Sequence, residues 1–133
     1  YLGISAGTNL ACPTIRTTND MPIVEPSQGL GALGLVPFQI NPHFFDGRVL
    51  IEDSKGVVEP HCGETRVERI QEFLEENSIP VLGMYEGAIL RCRFGEARMK
   101  FGRARLFQAA GDARDFAHDA DLDFLWDEAR QEC

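Results

Sequence analysis

The run Gly3-Ile4-Ser5-Ala6-Gly7 sets a serine among small residues in the pattern Gly-x-Ser-x-Gly. A serine in that pattern occupies a tight strand-to-helix turn, where bulky neighbours would clash with the passing backbone. The turn also lifts the hydroxyl over a helix amino terminus, whose free N–H groups can hold an oxyanion. Ser5 is therefore the candidate nucleophile and the Ala6 N–H the candidate oxyanion donor. A hydroxyl needs a base to attack a carbonyl, and the chain offers His43, His61 and His118. His43 follows the apolar run LVPFQI and Asn41-Pro42, at the carboxyl end of an expected strand. His61 lies in a loop beside Cys62, and His118 lies among aspartates. The base in turn needs an acid to orient it. Glu86 directly follows the run IPVLGM, a second expected strand. Its loop competitors Glu25, Asp20 and Asp46 lack that anchorage. Ser5, His43 and Glu86 thus form the candidate catalytic set. Their order along the chain differs from the Ser–Asp/Glu–His order of α/β-hydrolases, which argues against a lipase or esterase of that fold.

The elements that must carry these residues follow from periodicity and punctuation. Tyr1 to Ile4 reads as the end of a short buried strand, and residues 6 to 11 as a helix stopped by Pro13. Residues 12–34 read as loop, with MPIVEP (21–26) a short extended piece. A strand is expected over 35–40, ending at Asn41-Pro42, and the loop over 42–63 has room for a small hairpin within 46–60. Val67, Ile70, Phe73 and Leu74 recur at helical spacing, and Thr65 with Glu68 forms a capping box, so 65–77 is a helix. A buried strand follows over 79–84. Three short alternating segments within 87–108 suggest antiparallel strands, and 119–130 closes the chain as a helix.

Strands alternating with helices predict an α/β fold, a sheet with a parallel centre and flanking helices, in one domain over 1–133. Ligands of such sheets bind beyond the carboxyl ends of the strands, where Ser5, His43 and Glu86 all fall. A parallel sheet is covered on both faces and needs more strands than three. An amino-terminal half upstream of Tyr1 is therefore expected to be missing.

The 133 residues carry a net charge of −8, with 44% apolar and 26% charged residues. That charge excludes nonspecific binding to nucleic acid or to an anionic membrane surface, and no apolar run is long enough to span a bilayer. An anionic substrate would need a local cation to overcome the field. Four scattered cysteines (Cys12, Cys62, Cys92 and Cys133) without C-x-x-C spacing indicate reduced thiols in a cytoplasmic setting, and no zinc site is expected.

The stretches GISAGTNLACPTIRTTNDMPIVEP, INPHF, GETR and VLGMYEG closely resemble peptidase E, the α-aspartyl dipeptidase family of serine peptidases. The resemblance runs from Tyr1 to about Trp126, loosely in the tail. It implies a fold like that of class I glutamine amidotransferases, a Ser-His-Glu triad of Ser5, His43 and Glu86, and no cofactor or metal. It also implies cleavage of dipeptides with an amino-terminal aspartate. Arg66 of G-E-T-R is then the candidate cation for the aspartyl carboxylate, in the first turn of a helix where a guanidinium would join the N–H groups. Asn19 and Asp20 are candidates for the substrate's amino group. The loop between His43 and Gly63 looks longer than the family pattern. The family's upstream half, with a glycine-rich turn contributing to the oxyanion site, finds no match here. Loss of one oxyanion donor costs on the order of 3 to 4 kcal/mol in barrier height. Two other readings stay open: a related, cyanophycinase-like serine hydrolase acting on an aspartyl-arginine polymer, and an inactive fragment or interaction module. The oligomeric state is open.

Overall fold

The computed structural model describes residues 1–20 and 26–130; the extended piece expected at 21–26 and the candidate acid Glu25 fall largely outside them. In chain order the elements are α1 (Ala6–Leu10), β1 (Gln39–Phe44), β2 (Leu50–Glu52), β3 (Val58–Pro60), α2 (Arg66–Glu76), β4 (Val81–Tyr85), β5 (Ile89–Arg93), β6 (Glu96–Phe101), β7 (Ala104–Phe107), β8 (Arg114–Phe116) and α3 (Phe124–Arg130). The fold is mixed α/β. Its main sheet has the order β1-β4-β7-β8, and β2–β3 and β5–β6 form separate hairpins. Among the described strands parallel pairing is confined to β1–β4, so the expected parallel centre is a single pair, whereas β4–β7 and β7–β8 are antiparallel.

β4 organises the core, because alternate residues of a strand point to opposite faces. Val81 packs with Phe44, Ile70 and Phe73, which brings α2 onto one face. Leu82 and Met84 pack with Phe38, Met99, Leu106, Leu122 and Leu125, so the β5–β6 hairpin and the approach to α3 cover the other. Burial on both faces explains why β4 reads as a continuous apolar run. Helix α2 is set by its own sequence. The Thr65 hydroxyl accepts from the Glu68 N–H (3.1 Å) and the Glu68 carboxylate from the Thr65 N–H (2.7 Å), the reciprocal capping box. Those bonds hold the Glu68 carboxyl below the usual carboxylate range. Burial pushes the Cys12 and Cys92 thiols up to about 12 and about 11, so both stay protonated and unreactive near neutrality.

Two sequence expectations are corrected. Tyr1–Ile4 is not a buried strand: Tyr1, Leu2 and Ile4 are 73%, 86% and 76% exposed, and the segment joins no sheet. It folds instead against the start of α1, where the Tyr1 hydroxyl donates to the Gly7 carbonyl (2.6 Å). No described strand lies beside it to share a ladder. The second strand starts later than expected and runs on through Pro42 to Phe44. Proline is tolerated there because, among the described strands, β1 lies at the sheet's edge, with no neighbour on its outer side awaiting an N–H.

That outer edge is satisfied by side chains. The Ile40 carbonyl accepts from the buried Asn9 amide (2.9 Å) and from the Thr17 hydroxyl (2.9 Å). These bonds dock α1, and hence Ser5, beside the strand that carries His43. Asn9→Ala leaves the carbonyl one donor, so the expected loss is about 1 to 2 kcal/mol of stability. A lowered denaturant midpoint with an unchanged slope, accompanied by weaker catalysis, is the expected result; an unaltered midpoint would mean that Asn9 does not hold α1.

Candidate active site

Ser5 sits at the amino-terminal cap of α1 with φ 54° and ψ −121°, a backbone conformation disfavoured for a residue with a Cβ. The strained turn has a visible local cause. A Cβ on Gly3 would lie 2.5 Å from the Gly7 carbonyl oxygen, so only glycine lets the chain enter this closely. Position 7 has no such crowding. The Gly7 and Thr8 N–H groups close turns onto the Ile4 and Ser5 carbonyls, whereas the Ala6 N–H is not tied into such a turn.

His43 occupies an irregularity in β1. Asn41 pairs with Gly83 and Phe44 with Tyr85, so three steps along β1 match two along β4. A bulge of this kind re-aims a side chain, and His43 takes φ 56° within it. Phe44 anchors the far end of the bulge by lying over Gly83, where a Cβ would come within 2.7 Å of its ring. Glu86 follows β4 in a turn closed by the Ala88 N–H on the Tyr85 carbonyl (3.0 Å). Gly87 at φ 76° supplies the positive φ that the third position of a type II turn needs. Tyr85 is braced from two sides, edge-on to Phe44 (5.0 Å between centroids) and under the Arg103 guanidinium (3.8 Å to its centroid).

These placements bring the three side chains into one series. His43 Nε2 lies 2.9 Å from Ser5 Oγ, and His43 Nδ1 lies 2.6 Å from Glu86 Oε2. A carboxylate only accepts, so Nδ1–H donates to Glu86, which leaves the Nε2 lone pair for the serine proton. The series lies open to water, with side-chain exposures of 43% for His43 and 80% for Glu86. It borders a largely apolar cavity of about 760 Å³, lined among others by Leu35, Val36, Pro42, Ile89 and Leu90. The other candidates stand elsewhere. His118 pairs with Asp119 (3.3 Å), Asp46 accepts from Arg105 (2.6 Å), and His61 belongs to a second cleft.

That second cleft, of about 200 Å³, is lined by Asn19, Phe45, Arg48, His61 and Arg66. It and the larger cavity share no lining residue and flank the end of β1, with His43 on one and Phe45 on the other. Arg66 is the first residue of α2. Its neighbours Glu64 and Glu68 are committed to Arg69 (2.7 Å) and Arg48 (2.8 Å), so among the described residues Arg66 forms no ion pair. Its partner is a neutral amide, Asn19 Oδ1, at 3.2 Å. Asn19 also donates to the Thr65 carbonyl and to Glu64 (3.1 Å each) and accepts from Asn41 (3.0 Å). Asp20 is exposed, lines neither cleft, and donates its N–H to the Thr18 hydroxyl (3.2 Å). Sequence reasoning missed the roles of Asn9, Thr17 and Asn41. Thr17 lies in a loop-like stretch, Asn41 beside a proline and Asn9 in a helix too short for periodicity to mark its buried face.

A hydroxyl, an imidazole and a carboxylate hydrogen-bonded in series on an α/β scaffold is the arrangement with which serine hydrolases activate a nucleophile. Residues 1–100 match the family model described as Peptidase family S51, and the chain belongs to that family. It is 52% identical over 128 residues to Peptidase E of Streptomyces coelicolor, covering 96% of this chain and 49% of that protein. It is 46% identical over 127 residues to the probable alpha-aspartyl dipeptidase of Drosophila melanogaster, covering 94% and 49%. With Peptidase E of Citrobacter koseri it shares 51% identity over 100 residues, covering 74% and 39%. The chain thus spans about half the length of the first two of these relatives. Among the described residues no helix is long and apolar enough to cross a membrane.

Proposed function

We propose that the chain carries the catalytic centre of a serine dipeptidase that removes an amino-terminal aspartate from Asp-X dipeptides. The observation that carries this reading is the unbroken series Ser5 Oγ–His43 Nε2 (2.9 Å) and His43 Nδ1–Glu86 Oε2 (2.6 Å). Ser5 attacks the carbonyl of the aspartyl residue while His43 takes its proton, and the Ala6 N–H donates to the oxyanion. His43 returns the proton to the leaving amine, which departs as X. Water, deprotonated by His43, then attacks the acyl-enzyme, and His43 returns that proton to Ser5 Oγ as the ester bond breaks and aspartate leaves. Glu86 holds the imidazole and stabilises its charged form. The chemistry requires no metal or organic cofactor.

Arg66 is the proposed cation for the aspartyl side chain. A guanidinium that has no carboxylate partner among the described residues, in a protein of net charge −8, favours an anion. Arg66→Met is expected to lower kcat/KM for Asp-Leu by about 10- to 100-fold, the worth of a charge-assisted hydrogen bond, with little effect on Ala-Leu. Equal losses on both dipeptides would remove Arg66 from recognition. The chain further reads as the carboxyl-terminal portion of a larger domain of the glutamine amidotransferase-like type, acting in the cytoplasm. The exposed Tyr1, Leu2, Ile4, Leu33 and Leu35 and the half-length coverage of its relatives support that reading.

The second reading is a cyanophycinase-like hydrolase of aspartyl-arginine polymer, which the same serine, histidine and glutamate series could serve. Assaying the natural full chain on Asp-Leu, longer aspartyl peptides and the polymer decides. Turnover of Asp-Leu alone supports the dipeptidase; turnover of the polymer alone overturns it.

A further inference from the structure

We infer that Asn19 is a positioning residue that holds Arg66 for a carboxylate, and that Asn41 ties this pair to the strand bearing His43. The inference rests on the dipeptidase reading and deepens it. A side-chain amide offers two N–H donors and one oxygen with two lone pairs, and Asn19 uses all of them. Its oxygen accepts from Asn41 Nδ2 (3.0 Å) and Arg66 Nη1 (3.2 Å), and its nitrogen donates to the Thr65 carbonyl and Glu64 Oε2 (3.1 Å each). Such saturation leaves no capacity for a substrate ammonium group, the role for which the sequence made Asn19 a candidate. It fits a residue whose work is done on its neighbours.

The neutrality of Asn19 matters as much as its geometry. Arg66 carries five donors in a planar fork, and one of them is spent on Asn19. Among the described residues the rest stay available with the charge uncompensated, because Glu64 and Glu68 are drawn off by Arg69 and Arg48. An aspartate at position 19 would keep the hydrogen bond and cancel the charge. Asn41 supplies the link to catalysis. It is fully buried, donates to the Thr17 carbonyl (2.6 Å) as well as to Asn19, and stands two residues before His43 on the same strand. The Asn19–Arg66 pair is thus tied to β1 two residues before the base.

The test compares Asp-Leu with its uncharged isostere Asn-Leu on the natural full chain and on N19A, N19D and R66M. For N19A the expected result is a KM for Asp-Leu raised about ten-fold, one decade of affinity, with a clearly smaller loss on Asn-Leu. For N19D the preference for Asp-Leu over Asn-Leu should collapse as far as it does in R66M. Because Asp can keep the bond to Arg66, N19D also reports if N19A fails to fold. Equal losses on both dipeptides in N19A, or a full Asp-Leu preference in N19D while R66M loses it, would overturn the positioning role alone. An undiminished preference in R66M would remove Arg66 from recognition and overturn this inference, whereas the absence of any Asp-Leu preference in the natural full chain would overturn the aspartate reading itself.

Discussion

Replacing Ser5 with alanine should reduce Asp-Leu hydrolysis by the natural full chain on the order of 10⁵- to 10⁶-fold, as expected when a triad loses its nucleophile. The size follows from the geometry. With Oγ gone, His43 Nε2 has no hydroxyl 2.9 Å away to deprotonate, and no described side chain stands in that place. Stability should hardly change, since Ser5 is exposed and its side chain caps no N–H of α1. A surface change of that kind stays within about 0.5 kcal/mol. The informative pair of measurements is therefore kcat and the unfolding midpoint. Loss of turnover with an intact midpoint fits a nucleophile, whereas retained turnover refutes the assignment.

Glu86→Gln is expected to lower kcat by about 10²- to 10³-fold, less than the roughly 10⁴ lost when a buried triad acid becomes an amide. Glutamine can still accept from Nδ1–H, but it brings no negative charge to stabilise the imidazolium. Glu86 is 80% exposed, so water screens its charge and can take over part of its hydrogen bonding. Both effects shrink the penalty. The turn that presents position 86 is closed by backbone bonds and by Gly87, so the substitution leaves the fold alone. Substrate affinity should be spared, because the carboxylate faces His43 rather than the second cleft. A raised KM with unaltered kcat would reassign Glu86 from orienting the base to binding.

Much of this site was legible in the chain because its carriers are fixed locally. The Thr65–Glu68 capping box and the spacing of Ile70 and Phe73 define α2, and the apolar run before Glu86 marks β4. Gly3 and Gly87 mark backbone that only glycine or a strained residue can follow. What was not legible depends on partners distant in sequence. Tyr1–Ile4 has the composition of a buried strand, yet strand formation needs a neighbouring ladder, and none of the described strands provides one. Pro42 looked like a strand end because its missing N–H matters only if a strand lies on that side. The bulge at His43 arises from register with β4, which no single segment encodes. Likewise, Arg66 sat between two glutamates in sequence, and only the placement of Arg48 and Arg69 shows where those charges go.

Peptide mapping after reaction with an aspartyl phosphonate ester bears most directly on whether the hydroxyl of Ser5 is the atom that attacks. In the natural full chain the adduct should sit on Ser5, be suppressed by excess Asp-Leu, and fail to form in His43→Ala. An adduct on any other residue, or complete inhibition with Ser5 unmodified, would contradict the serine mechanism.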